Sequence, residues 1–239
     1  MEDLVINKMK KLEEIAFIVQ ARLNSARLPN KVIKNFADNK SLFEIAIEKL
    51  CGIDEIDNNQ IYASVGEEKL INIAKKHPIN IYKRSENSFL YEDKLVGIFE
   101  WHNKLPSKYK YYFIINTCSP LLTEKTILNF LNHYIKSPHK GLFAVLEKNT
   151  LGWDSELNII NNKNNLETLN TKQSNKIYLP AHLLYAGEIN KIKNNIHMGT
   201  FTKKNDPELY ILQDELECWD IDYKWQFDIA QNIYKKWKK

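Results

Sequence analysis

Cysteine is scarce and scattered in this chain. Cys51, Cys118 and Cys218 form no Cys-x-x-Cys pair, which argues against a disulfide framework and against a cysteine zinc site. Six histidines are equally dispersed, with no His-x-x-x-His pair. Seven glycines and seven prolines in 239 residues are too few for a low-complexity chain. No apolar run approaches membrane-spanning length, and MEDLVINKMKKLEE lacks the apolar stretch of a secretion signal. The expectation is a soluble, cytoplasmic protein with no membrane partner. Charge of one sign is not concentrated either. The net charge is +4, with lysines spread along the chain, so no nucleic-acid tail is expected. No internal repeat is present.

What is present is an alternation. IAFIV (15–19) is short, β-rich and apolar on both faces, as in a buried parallel strand. SLFEIAIEKLCG follows, with a capping box at Ser41 and Glu44 and an apolar face of Leu42, Ile45, Ala46 and Leu50. Strands are expected at 60–65, 79–84, 111–116 and 141–148. Helices are expected at 67–77, 89–105 and, capped by Thr123, at 123–136. This order predicts an α/β fold: a Rossmann-like, doubly wound, mostly parallel or mixed sheet. Residues 149–176 are rich in Asn and Lys and read as an insert, a hairpin or dimer arm, within one domain spanning 1–239. The chain closes with a helix over 223–237 carrying Trp225, Ile229, Ile233 and Trp237 on one side.

Open α/β sheets bind ligands beyond the carboxyl ends of their strands, and there the first strand runs into QARLNSARLPNK (20–31). Arg22, Ser25, Arg27 and Lys31 supply the donors that a triphosphate needs. Pro29 stiffens the loop, and Asn24 and Asn30 tolerate left-handed turns. An ordinary connection with exposed cations is the plainer alternative. Near the other end, Asp220 and Asp222 in CWDID alternate along an extended segment and face one way. Two such carboxylates suit one Mg²⁺, which takes its remaining ligands from phosphate and water. Alternatively, Asp222 caps the last helix and Asp220 is solvated.

QARLNSARLPNKVI resembles the signature loop of the sugar-acid cytidylyltransferases: the acylneuraminate, pseudaminate and legionaminate enzymes and the spore-coat polysaccharide type. NKSLFEIAIEKL, INIYKRSENS, FIINTCSPLLTEKTI and CWDIDYKWQFDIA resemble further segments of that family. The resemblance implies a nucleotidyltransferase fold of the GT-A-like kind. It also implies that Ala21, Arg22, Asn24, Ser25, Arg27, Lys31 and Arg84 bind the nucleotide, CTP. Arg22, Lys31 and Asp222 would act in catalysis, and Asp220 and Asp222 would hold Mg²⁺. Asn116, Thr117 and Ser119, with Gln173 and Tyr185 from TKQSNKIYLPAHLLYAG, would meet the sugar-acid acceptor; His182, which departs from the family pattern, is either a new polar contact to that acceptor or a structural histidine. The expected product is a CMP-sugar for surface glycans, made by a homodimer. Ala26 departs from the lysine common in the sialic acid type. Ala181-His182 stands where those relatives carry Asn-Gly. Two rivals remain open: a nucleotide-sugar glycosyltransferase and a catalytically silent nucleotide-binding subunit.

Overall fold

The computed structural model describes residues 9–90, 94–161 and 175–237. Nine strands are described: β1 (Ile15–Gln20), β2 (Asn35–Ala37), β3 (Lys40–Ser41), β4 (Ile61–Val65), β5 (Asn80–Lys83), β6 (Tyr111–Ile115), β7 (Leu142–Asn149), β8 (Lys176–Glu188) and β9 (Glu208–Ile211). The helices are α1 (Leu42–Cys51), α2 (Glu68–Ala74), α3 (Glu86–Leu90), α4 (Leu95–Ile98), α5 (Glu124–Lys136) and α6 (Lys224–Trp237). Seven strands form one sheet in the order β5-β4-β1-β6-β8-β7-β9, while β2 and β3 make a separate ribbon. All neighbours in the sheet are parallel except those of β8, which is antiparallel to both β6 and β7. This is the mostly parallel, mixed α/β sheet that the alternation predicts.

The five residues Ile15 to Val19 have no solvent exposure, because both faces of the central strand are covered. Ile15, Phe17 and Val19 join the core beneath α1, α2 and α5. Ala16 and Ile18 face the other way, against Trp101, Tyr112, Ile189 and Ile192. The Ser41–Glu44 capping box forms as expected and buries Leu42, Ile45, Ala46 and Leu50. Thr123 caps α5. The insert is the connection between the antiparallel partners β7 and β8, leaving at Asn149 and returning at Lys176, which pair with each other.

Two expectations are corrected. The helix over 89–105 is not continuous: its described parts are the end of α3, the short α4 and a 3₁₀ turn at Glu100–Asn103. That turn buries Trp101 completely and brings its indole N–H to Gln20 Oε1 at 3.1 Å. The last helix buries Phe227, Ala230 and Tyr234 rather than the Trp225 side. Phe36 of the ribbon packs edge-on against Phe227 and Tyr234, so the ribbon selects the buried face. Trp225, Ile229 and Trp237 are exposed.

Glu217 ties the C-terminal segment to the sheet's helical layer. Its buried carboxylate accepts bonds from Thr123 N at 3.1 Å, Thr123 Oγ1 at 3.1 Å and Thr126 Oγ1 at 2.9 Å. An anion at a helix N-terminus also meets the positive end of the helix dipole. Glu217→Ala should lower the unfolding free energy by about 3 kcal/mol, because it removes charged acceptors from three donors. Urea denaturation measures this; a loss under about 1 kcal/mol would show that water replaces the carboxylate at little cost.

Candidate active site

The carboxyl ends of β1, β5 and β6 converge on a cleft of about 620 Å³. Its floor is fixed by the end of β1. Gln20 Oε1 accepts from Ser64 Oγ at 3.2 Å and from Trp101, and Gln20 O accepts from Thr117 Oγ1 at 2.9 Å. The loop after β1 then closes on itself. Leu23 O accepts from Ser25 N at 2.9 Å and from Asn30 N at 3.1 Å. Asn30 is left-handed (φ 58°) as its residue type allows, whereas Asn24 is not among the positive-φ residues. From Asn30 a 3₁₀ turn (Lys31–Ile33) carries Lys31 inward.

The loop meets the far end of the chain in this cleft. Arg27 Nη2 lies 2.8 Å from Asp222 Oδ2, and Lys31 Nζ lies 3.0 Å from Asp222 Oδ1. Lys31 also donates to Ile221 O at 2.5 Å. Burial pulls Lys31 down, but Cys118, Asp222 and Asp220 outweigh it, so its ammonium is held above its ordinary range. The segment 220–222 lies beside the end of β6, with Ile221 N donating to Cys118 O at 3.0 Å. Asp222 does not cap α6 with its side chain; instead Gln226 Oε1 receives the N–H groups of Asp222 and Tyr223 at 2.7 and 2.8 Å.

Asn116 organises the opposite wall. Its Nδ2 donates to His182 O at 2.8 Å and to Asp220 Oδ1 at 3.3 Å. Burial and the neighbouring Asp222 charge raise the Asp220 carboxyl above the usual carboxylate range. No group of three or more His, Cys, Asp and Glu suited to a metal occurs among the described residues. Asp220 and Asp222 alone are a partial ligand set, of the kind that a hard ion completes with phosphate and water.

Most of the residues singled out in the sequence come together here. Ala21, Arg22, Asn24, Ser25, Arg27 and Lys31 line the cleft, as do Arg84, Asn116, Thr117, Tyr185 and Asp222. Arg84 is 4% exposed and is locked by Ser88, donating from Nε to Ser88 Oγ at 3.1 Å and from Nη2 to Ser88 O at 2.6 Å. Asp220 stands behind the lining, held by Asn116. His182 is at the exposed rim, in a bulge of β8 and left-handed (φ 53°), with Nδ1 3.5 Å from Tyr185 OH. Ser119 is a correction: it is buried, its hydroxyl has no partner among the described residues, and it lies outside the cleft lining. The turn that admits Pro120 directs it toward α1, where Lys49 donates to its carbonyl. Gln173 lies outside the described residues.

Several cleft residues carried no legible signal. Gln20, Ser88, Phe99 and His197 line it, and Glu67 accepts from Leu23 N at 2.6 Å. Gln20 and Glu67 lie at strand ends, the one cue that was available. His197 comes from a connection without periodicity, and Phe99 lies in the 89–105 stretch, where a helical reading does not single it out.

Residues 16–235 match the family described as cytidylyltransferase. The chain belongs to the cytidylyltransferase family. Members are CTP-dependent nucleotidyltransferases, so the chain is an enzyme of that type. No curated protein sequence matches it. Among solved structures, it is similar to 4-diphosphocytidyl-2C-methyl-D-erythritol synthase from Anaerococcus prevotii, with a TM-score of 0.64 and 15% identity over 94% of this chain and 100% of that one. It is also similar to a CMP:2-keto-3-deoxy-manno-octonic acid synthetase complexed with CTP, with a TM-score of 0.66 and 8% identity over 93% of this chain and 99% of that one. At these identities the likeness is one of fold.

One wall of this cytidylyltransferase's cleft is aromatic. His197 stacks with Tyr112 (11° between rings) and packs on Phe99 and Tyr185, with Nδ1 2.7 Å from Tyr112 OH. Burial lowers its pKa to about 4, whereas the unfolded chain takes up that proton near pH 6.5. Between those values the unfolded state binds more protons, so stability falls as pH drops from about 6.5 toward 4. His197→Asn should flatten this dependence. Urea midpoints measured from about pH 7 to about pH 4 test it; parallel profiles for the two proteins would rule it out.

Proposed function

We propose that this cytidylyltransferase transfers CMP from CTP to a hydroxyl of a sugar acid, a nonulosonic acid or related 2-keto sugar, releasing pyrophosphate. The observation that carries this reading is the Arg27–Asp222–Lys31 junction. It brings the cation-rich loop and the carboxylate pair, from opposite ends of the chain, into one cleft. Arg22, Ser25, Arg27 and Lys31 bind the triphosphate. Arg84, fixed by Ser88, lines the nucleotide end. The acceptor hydroxyl gives up its proton to solvent as its oxygen attacks the α-phosphorus, the bond from that phosphorus to the oxygen bridging to the β-phosphate breaks, and the leaving pyrophosphate takes that electron pair. Arg22 and Lys31 stabilise the charge that develops on the phosphates. Mg²⁺ is the cofactor; Asp220 and Asp222 would hold it, and it would neutralise charge on the triphosphate and the attacking oxygen. Asn116, Thr117, Tyr185 and His182 face the acceptor, and Gln173 belongs to the same proposed set.

The sugar-acid class rests on the loop and on the segment around 178–187. One structural neighbour is a synthetase named for a 2-keto sugar acid. Another is named for an erythritol product, so a polyol phosphate is the second acceptor class to test. A homodimer working in the cytoplasm on surface-glycan precursors completes the proposal. Exposed apolar side chains on β8 and β9 (Tyr178, Leu179, Leu209 and Ile211) support the dimer, and no described helix is long and apolar enough to cross a membrane.

The test is pyrophosphate release from CTP, ATP, GTP and UTP with Mg²⁺, against nonulosonic acids, 3-deoxy-manno-octulosonate and 2-C-methylerythritol 4-phosphate. CTP with a sugar acid should turn over, and Lys31→Ala and Asp222→Ala should each lose about 10²-fold or more. Turnover with the polyol phosphate alone would replace the acceptor class. Absence of CTP binding would remove the cytidylyl reading, and CTP binding without release from any pair would favour the silent subunit.

His182 supplies an independent check on the acceptor end. A non-glycine residue at φ 53° carries strain of about 1 kcal/mol or more, and strain of this kind is kept where a side chain is needed. His182→Gly should keep or raise thermal stability and leave CTP binding unchanged. It should raise the acceptor KM by about tenfold, the loss of one polar contact. An unchanged acceptor KM would leave the histidine without a role in recognition.

A further inference from the structure

We infer that Glu67 is a positioning residue for the triphosphate loop, acting through the Leu23 peptide; this rests on the CTP reading above. Glu67 follows β4 and opens α2, where its carbonyl accepts from Leu70 N at 3.0 Å and Ile71 N at 3.1 Å. Its backbone is therefore fixed by the first turn of a helix. Gly66 before it has no room for a side chain, since a Cβ would lie 2.1 Å from the Phe89 ring. That packing locks the turn from the side of α3.

From this rigid base, Glu67 Oε1 accepts from Leu23 N at 2.6 Å, a short, charge-assisted bond. The other face of the same residue holds the loop together, because Leu23 O accepts from both Ser25 N and Asn30 N. Two cations of the loop, Arg27 and Lys31, lie just beyond this hub. Arg27 lies within the closed turn, and Asn30, held left-handed, feeds directly into the turn that carries Lys31. Fixing Leu23 thus fixes where two phosphate-binding cations begin.

The choice of a carboxylate needs a reason. A negative charge beneath a polyanion site repels the ligand, so Glu67 gains nothing by direct contact with phosphate. Its second oxygen, Oε2, is buried with no hydrogen-bond partner among the described residues, although a buried unsatisfied acceptor is costly. The field of Glu67 acts on the buried Arg84, which also feels Arg22. The carboxylate therefore holds one backbone N–H, its main task, and lies within the field of one buried cation, Arg84.

Three variants separate reach from charge. Glu67→Gln keeps the reach and an accepting oxygen but loses the charge. Glu67→Asp keeps the charge but is one methylene too short for Leu23 N. Glu67→Ala loses both. Hydrogen exchange of the Ser25 and Asn30 amides in the ligand-free protein is read first, then the Kd for Mg²⁺-CTP. Glu67→Asp and Glu67→Ala should exchange about tenfold faster and bind about tenfold more weakly, and Glu67→Gln should stay within about threefold of wild type in both. Unchanged exchange in Glu67→Asp overturns the inference, as does Glu67→Gln behaving like Glu67→Ala. If wild type fails to bind CTP, the functional reading is lost, and exchange alone still decides the hold on the loop. Circular dichroism and the urea midpoint identify a variant that has not folded, in which case the Gln and Asp pair carries the comparison.

Discussion

One carboxylate shared by two cations joins the ends of this protein. Asp222 is bonded to Arg27 and Lys31 across about 190 residues of sequence. The two contacts are unequal. The Lys31 side chain is 11% exposed and the Arg27 side chain 54%, so solvent screens the arginine pair far more than the lysine pair. Lys31 also holds the Ile221 carbonyl, which makes it the structural half of the junction. Arg27, resting over the Tyr223 ring at 5.5 Å, is the half more free to exchange partners. A bound triphosphate would draw both cations away from Asp222. Under the proposed Mg²⁺ reading, a metal held by Asp222 would return the positive charge it loses, and nucleotide and metal would favour each other's binding.

How far the sequence revealed this depends on whether a feature is contiguous. The parallel strands were legible because burial on both faces writes an unbroken apolar run, as in IAFIV. The α1 and α5 caps were legible because a cap is a local pattern. The last helix was not, because YKWQFDIAQNIYKKW has apolar residues on two sides. Partners nearly 200 positions earlier, the ribbon residue Phe36 with Leu42 and Ile45 of α1, form the cluster in which Phe227 and Tyr234 are buried. Likewise 89–105 reads as one helix by period, but Trp101 must reach Gln20. That single tertiary bond accompanies a break that propensity does not foresee.

The site divides in the same way. The loop 20–31 and the pair at 220 and 222 each lie within a dozen residues and could be read as units. Glu67, Gln20 and His197 act singly, and a lone glutamate after a strand is indistinguishable from a surface residue until its partner is known. Ser119 shows the converse error. It lies in a segment read as a unit with Asn116 and Thr117, yet the chain turns between them, so sequence proximity misplaces it.

The cleft mixes cations with aromatic and apolar side chains. Arg22, Arg27, Lys31 and Arg84 line it together with Ile98, Phe99, Ile114, Tyr185 and His197. Ser88 joins the two sets, because it holds Arg84 and donates to Gly97 O, beside Ile98, at 2.7 Å. His197 adds no charge there, since burial keeps it neutral down to about pH 4. A ligand with polyanionic and aromatic parts finds partners for both in one cleft. The mixed sheet makes this possible: parallel β1, β5 and β6 bring their carboxyl ends and loops to one side, and antiparallel β8 supplies Tyr185 to the same cleft.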